Sequence, residues 1–177
     1  MGRIVAVEYL TLDGVFENPA WTGPYFDEAV GAAQGATMQW ADALLMGRAT
    51  YDEMSKAWPA AGNDPGTGGD IMNSIGKYVP TSTLTEPEWN ATFLPGDAVK
   101  SVTELKAGEE NLVIYGSGVL VESLRAAGLI DEFRLLIAPI VRGEGRKLFT
   151  NPAPSTFKVT SSSVAPSGMQ LVTLTVE

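Results

Sequence analysis

The sequence predicts an α/β domain: a mixed sheet with helices on both faces, closed by antiparallel strands. Apolar, β-branched runs alternate with helix-like spacing as far as about residue 128, and beyond it three strand-like runs follow with no helix between them. A chain of 177 residues, 45% of them hydrophobic, is also long enough to bury about two-thirds of its unfolded surface in one core, so a single domain over 1–177 is expected.

Taken in order, "RIVAVEYL" (3–10) is β-branched and apolar and reads as a buried strand, followed by the Gly, Pro and Asp-rich loop "TLDGVFENPAWTGP". Residues 25–40 place Phe26, Val30, Ala33 and Thr37 at helical spacing, which predicts a helix weakened by Gly31 and Gly35. "DALLMG" (42–47) is a second buried strand, and "RATYDEMSKAW" (48–58) a short helix closed by Pro59. The stretch "PAAGNDPGTGGD" (59–70) is expected not to pack. "KYVPTSTL" (77–84) reads as a strand in which Pro80 removes one ladder hydrogen bond, suggesting an edge or a bend, and "ATFL" (91–94) as another. "SVTELKAG" (101–108) has a polar start and a Gly stop, predicting a small helix before the strand "NLVIYG" (111–116), and a further helix runs on towards Gly128. "DEFRLLIAPIV" (131–141), "FKVTSSSV" (157–164) and "QLVTLTVE" (170–177) complete the chain as an antiparallel meander.

Composition excludes several classes of function. Zero Cys and zero His remove disulfides, thiolate metal sites, thiol nucleophiles and His-dependent triads. A net charge of -9 provides no basic stripe for a phosphate backbone, so nucleic acid is not an expected partner. No apolar run approaches the ~20 residues that span a bilayer, and the N-terminus lacks a cleavage signal, so no membrane partner and a cytoplasmic location are expected.

Two turns can carry chemistry. Gly116-Ser117-Gly118 follows a strand and opens a helix, but it satisfies only the first half of a dinucleotide fingerprint, because Val121 stands where the third Gly belongs. A plain strand-to-helix turn and a phosphate contact both remain open for it. The stretch "LLMGRATYDEM" (44–54) ends a strand in Gly and places Arg48 and Thr50 at a helix start, a cation and a hydroxyl beside unpaired N–H groups that suit a phosphate; the alternative is a surface ion pair for Arg48. Parallel strands present their C-terminal ends on one side, so both turns can address one extended ligand.

"LTLDGVF", "ALLMGRATYDEM", "VIYGSGVLVESLRAAGLIDEFRLLIAPIVRGEG" and the terminal "FKVTSSSV" and "QLVTLTVE" together resemble the dihydrofolate reductase superfamily. More narrowly, the chain is similar to stand-alone proteins related to the reductase domain of bifunctional riboflavin-biosynthesis deaminase-reductases. The resemblance implies a three-layer fold with a mixed, mostly parallel sheet and an antiparallel C-terminal strand pair. It implies NADPH as cofactor, with Gly47, Arg48, Ala49 and Thr50 meeting the adenosine 2′-phosphate and diphosphate. Thr81, Ser82 and Thr83 would lie by the adenosine phosphate, and Tyr115, Gly116, Ser117, Gly118, Val119 and Leu120 by the diphosphate near the nicotinamide. Val119 stands where some relatives carry a basic residue, leaving the 2′-phosphate mainly to Arg48.

The loop over residues 11–23 matches the segment that covers nicotinamide and substrate in such proteins. Asp13 matches the acid of its Leu-Asp-Gly motif and is one catalytic candidate, with a simple turn as the other reading. Asp27, or its neighbour Glu28, is the candidate for the carboxylate that holds a pterin in dihydrofolate reductases proper, although its register to Gly47-Arg48 is not the usual one; a helix N-terminal carboxylate is the alternative. Trp21, Phe26, Met38 and Trp40 either wall a flat ring or belong to the core. Arg142, Arg146 and Lys147 are a solvated turn or an attractor for a phosphorylated substrate. A cis or otherwise unusual peptide between Gly116 and Ser117 is expected, since the related reductases have a cis bond at their paired-glycine position. The implied activity is NADPH-dependent reduction of a small heterocyclic or ribosyl molecule, nearest to 5-amino-6-(5-phosphoribosylamino)uracil, by a homodimer. Dihydrofolate reduction and a non-catalytic nucleotide-binding dimer are the alternatives.

Overall fold

The computed structural model describes all residues from Met1 to Glu177. Eight strands form one sheet: β1 (Ile4–Thr11), β2 (Ala43–Leu45), β3 (Gly76–Pro80), β4 (Ala91–Leu94), β5 (Leu112–Tyr115), β6 (Glu132–Ala138), β7 (Phe157–Val164) and β8 (Gln170–Val176). Their spatial order is β4-β3-β2-β5-β1-β6-β8-β7. The first six are mutually parallel, and β8 pairs antiparallel with both β6 and β7.

Five helices cover the sheet: α1 (Glu28–Trp40), α2 (Arg48–Ala61), α3 (Gly69–Ser74), α4 (Ala98–Lys106) and α5 (Gly118–Ala126). Alternation of side chains along β1 divides the core in two. Ile4, Ala6 and Leu10 pack with Val102 of α4 and Val121 and Leu124 of α5, whereas Val5 and Val7 pack with Val30 of α1, Tyr51 of α2 and Met72 of α3. Central strands carry no polar alternation because both faces are covered, which is why "IVAV" and "LVI" are continuous apolar runs.

Several boundaries differ from the sequence expectations, each for a local reason. Helix α1 starts at Glu28 because the Asp27 carboxylate accepts the Val30 N–H at 3.0 Å, and residues Pro19–Tyr25 before it form a 3-10 turn opened by Pro19. Likewise, α4 begins three residues early, capped by Asp97 on the Lys100 N–H at 2.9 Å. Helix α2 passes through Pro59, which gives up its own N–H bond, and ends two residues later at Ala61, before Gly62 at φ 87°.

The stretch 59–70 does pack. It contains the end of α2, the turn Pro65–Thr67 and the start of α3, pinned by the Asn73 amide, which donates to the Trp58 and Gly62 carbonyls and to Asn63 Oδ1. Strand β3 lies inside the sheet between β2 and β4, and Pro80 is tolerated there because it is the strand's last residue. The C-terminal strands are not a meander: β8 lies between β6 and β7, so the chain leaves β6, travels through residues 139–156, and forms β7 at the outer edge before β8 fills the gap.

Candidate functional site

Strand β5 is inserted between β1 and β2, so the C-terminal ends of these strands frame a crevice where successive connections diverge to opposite faces. A cleft of about 640 Å³ opens there, within the range of small-molecule sites. Two strand-to-helix turns form one wall. Strand β2 ends at Leu45 and α2 begins at Arg48; β5 ends at Tyr115 and α5 begins at Gly118. Neither N-cap, Gly47 or Ser117, caps its helix through a side chain. The N–H groups of Arg48, Ala49 and Thr50, and those of Gly118, Val119 and Leu120, therefore have no partner within their helices, and all six residues line the cleft. Two positive helix ends on one cavity make a wall suited to an extended anion.

A single side chain locks the two turns together. Ser117 Oγ accepts the Gly47 N–H at 2.8 Å and donates to Thr50 Oγ1 at 2.7 Å. The turn itself has no cis peptide; the expected cis bond between Gly116 and Ser117 is corrected to a trans path that reverses through two successive left-handed residues, Gly116 at φ 62° and Ser117 at φ 63°. Serine at such a φ is disfavoured, so its two hydrogen bonds offset local strain. Gly118 has ordinary helical φ, but any Cβ there would run into the Phe16 ring.

Phe16 belongs to the segment after β1, which is fastened to residues 140–148. Val15 bridges to Lys147, the Phe16 N–H reaches the Arg146 carbonyl at 3.1 Å, and the Glu17 carboxylate accepts from the Arg146 N–H and Nε, each at 3.1 Å. The Arg146 guanidinium lies 5.5 Å from the Phe16 ring centroid, and both residues line the cleft. Arg48 also lines the cleft, its side chain half exposed, its Nε 3.4 Å from Asp52 and its guanidinium making no hydrogen bond. Of the three-residue basic group, only Arg146 reaches the cleft.

The structure brings Gly47, Arg48, Ala49, Thr50 and the run from Tyr115 to Leu120 together around the cleft. It leaves Thr81, Ser82 and Thr83 outside the lining, although Pro80 just before them takes part. Thr81 Oγ1 closes its own turn by accepting the Thr83 and Leu84 N–H groups. Asp13 is also outside: its carboxylate accepts from the Thr11 hydroxyl at 2.6 Å, the Arg142 N–H at 3.1 Å and the Gly143 N–H at 2.9 Å. These bonds, that of Thr11 foremost, hold its carboxyl down to about 2. Asp27 spends one oxygen on the Val30 N–H and the other on the Ser167 N–H at 2.8 Å, which lower its pKa, and Glu28 is exposed. Of the four residues considered as ring walls, Phe26 alone lines the cleft; Trp21, Met38 and Trp40 pack against the core.

Two polar groups of the cleft stand without a partner: Tyr115, which the resemblance places by the diphosphate, and Glu8, which was not singled out from the sequence. Glu8 Oε1 and Tyr115 Oη are shielded from solvent, and both residues line the cavity. Burial, and then the Glu122 carboxylate, push the Glu8 carboxyl up to about 8. Burial likewise raises the phenols of Tyr9 and Tyr115 well above their usual range, so both remain neutral donors. The available signal was an acid set directly after the apolar run "IVAV" in a strand buried along nearly its whole length.

Residues 3–172 match the RibD C-terminal domain family. The uncharacterised protein YyaP of Bacillus subtilis (strain 168) is 34% identical over 112 residues, 61% of this chain, and the match spans 59% of that protein's length. Among solved structures, a proposed riboflavin biosynthesis protein from Shewanella sp. PV-4 superimposes with a TM-score of 0.81 at 23% identity over 99% of both chains. A pyrimidine reductase-like protein from Corynebacterium diphtheriae gives 0.70 at 13% identity, covering 99% of this chain and 92% of the other. A diaminohydroxyphosphoribosylaminopyrimidine deaminase/5-amino-6-(5-phosphoribosylamino)uracil reductase from Thermotoga maritima gives 0.72 at 15% identity, with 99% of this chain covering 57% of that one. These likenesses show the three-layer fold with its antiparallel C-terminal strand pair.

Proposed function

This chain belongs to the RibD C-terminal domain family, and from that premise we propose that it is an NADPH-dependent reductase of a small pyrimidine or ribosyl compound resembling 5-amino-6-(5-phosphoribosylamino)uracil. The observation that carries the reading is the pair of helix N-termini, α2 and α5, opening on one cleft beside Arg48. Their free N–H groups fit a diphosphate; the absence of a Cβ at Gly116 leaves the backbone open to close approach, and at Gly118 it makes room for the Phe16 ring that closes over the turn. Arg48 is the residue for a 2′-phosphate, as the fixed cation at the start of α2. NADPH, when bound, supplies a hydride. The protein's own part is to orient two rings, exclude water behind the Phe16 segment and provide a proton, none of which needs His or Cys.

A pterin is the weaker fit, because both Asp27 oxygens are already engaged by backbone N–H groups. We therefore expect dihydrofolate turnover far below the ~10 s⁻¹ of a median enzyme. A homodimer belongs to the same proposal, motivated by the open outer edge of β7, and light scattering in solution reads it directly.

Titration of tryptophan emission with NADPH and NADH tests the cofactor. The parent should prefer NADPH, and Arg48→Ala should remove most of the preference. A charge-assisted contact is worth roughly 1.5 to 3 kcal/mol, so a change of about ten-fold or more is expected. Equal affinity of the parent for both cofactors would sink the assignment.

A further inference from the structure

Strand β1 runs further than its neighbour β5. Tyr115, the last residue of β5, pairs with Val7, so Glu8 stands one residue beyond the final rung, where the crevice opens. Its partner on the other side is Leu135 of β6, which puts the Glu8 side chain on the face covered by α5. Glu8 is 1% exposed yet lines the cleft, and its Oε1 has no partner. The charged groups around it do not neutralise it. Glu122 of α5 is itself an acid, held by Arg125 and the Asn151 N–H; Arg146 is paired with Glu17, and neither it nor the half-exposed Arg48 makes a contact that lowers the Glu8 carboxyl. Arg134 of β6 turns to the opposite face, towards Thr37.

An ionised carboxylate in that place would have neither cation nor donor, and a buried group so situated takes up a proton instead. A protonated carboxyl then has one O–H to give and nothing in the protein to receive it. Tyr115 Oη repeats the pattern from the other face of the sheet, a second buried donor of the same cleft without a partner. Both atoms call for a ligand that brings acceptors.

We propose that Glu8 is the proton donor of the cleft: a neutral carboxylic acid that donates a hydrogen bond to the carbonyl oxygen or imine nitrogen of the substrate and delivers its proton there on reduction. This deepens the reductase reading and rests on it. The carbon of the substrate double bond gains a hydride from a dihydronicotinamide reductant, and the π electron pair passes to the heteroatom. The heteroatom takes the Glu8 proton as the carboxyl O–H bond breaks, and the carboxylate left behind regains a proton from water. An acid that ionises near the working pH is suited to this exchange, and burial followed by the Glu122 carboxylate supplies such a value, about 8.

The test has three readouts. Protein labelled with ¹³C at the glutamate carboxyls is titrated by NMR, with Glu8→Gln identifying the signal; Glu8 should stay protonated at neutral pH and ionise near pH 8. NADPH binding, read by tryptophan quenching, should be the same in parent and Glu8→Gln. NADPH oxidation with 5-amino-6-(5-phosphoribosylamino)uracil should show kcat lowered roughly 10²- to 10⁴-fold in Glu8→Gln with KM close to the parental value, because the amide can donate a hydrogen bond but cannot transfer a proton. Parental kcat should fall as pH rises through the Glu8 ionisation. A Glu8 signal that titrates in the ordinary carboxylate range overturns the proposal, and the parent protein alone suffices for that measurement. Parental kcat in Glu8→Gln overturns it as well. A parent that does not bind NADPH overturns the underlying reductase reading, and this is seen before any variant is made.

Discussion

Replacing Ser117 by Ala and, separately, by Gly separates two opposing contributions at the junction of the turns. The hydroxyl makes two hydrogen bonds, one from Gly47 N and one to Thr50 Oγ1. At roughly 0.5 to 1.5 kcal/mol each, they contribute ~1 to 3 kcal/mol. Against this stands φ 63° for a residue with a Cβ, disfavoured by ~1 to 2 kcal/mol and absent for glycine. Ser117→Ala loses the bonds and keeps the strain, so it should be destabilised by ~1 to 3 kcal/mol, which for a chain of this length lowers Tm by about 2 to 12 °C. Ser117→Gly loses the same bonds but relieves the strain, and should fall between ~1 kcal/mol more stable and ~2 kcal/mol less stable than the parent, above the Ala variant. Urea unfolding followed by tryptophan emission, with calorimetry for Tm, gives both differences. An Ala variant as stable as the parent, or a Gly variant less stable than the Ala variant, would refute this account of the junction.

Other expectations follow from buried charge and close packing. Glu122→Ala leaves the Arg125 side chain, 4% exposed, without its carboxylate and should cost about 3 to 5 kcal/mol in denaturant unfolding. In the parent, burial works to raise the Glu122 carboxyl, and Arg125 and the Asn151 N–H outweigh it, so its stabilising contribution is present above pH 4.5 and lost as acid titrates the lowered group; the variant should lack that loss. Glu8 acts with the opposite sign. Its folded value, about 8 against 4.5, means that folding takes up a proton between these limits, so stability should fall by up to ~5 kcal/mol as pH rises through them, and Glu8→Gln should flatten the curve. Gly118→Val drives a side chain into the Phe16 ring; it should lower stability by about 1 to 3 kcal/mol and weaken NADPH in a binding titration.

Strand-to-helix turns were legible because the signals are local: an apolar run, a glycine, then helical spacing, at 43–50 and again at 112–120. Their convergence followed from the geometry of parallel strands. What could not be read depended on side chains far apart in the chain. Asn73 reaches Trp58, Gly62 and Asn63 and so packs a segment whose own composition says loop. Asp13 and Asp27 look the same in sequence whether they face a ligand or a backbone; their oxygens are spent on N–H groups of residues 142, 143 and 167, which no spacing reveals. Glu8 was visible as an anomaly, an acid directly after an apolar run, but its burial depends on α5, more than a hundred residues later.

The placement of β8 between β6 and β7 sets an order on assembly during synthesis. Strand β7 leaves the ribosome first, yet its sole neighbour in the sheet is β8, so it has nothing to dock on until residues 170–176 have emerged. Through that interval the outer edge of β6 presents an unpaired ladder, the kind of template on which nascent chains associate with one another. A stop codon falling just before Gln170 would therefore deprive the sheet of two strands rather than one.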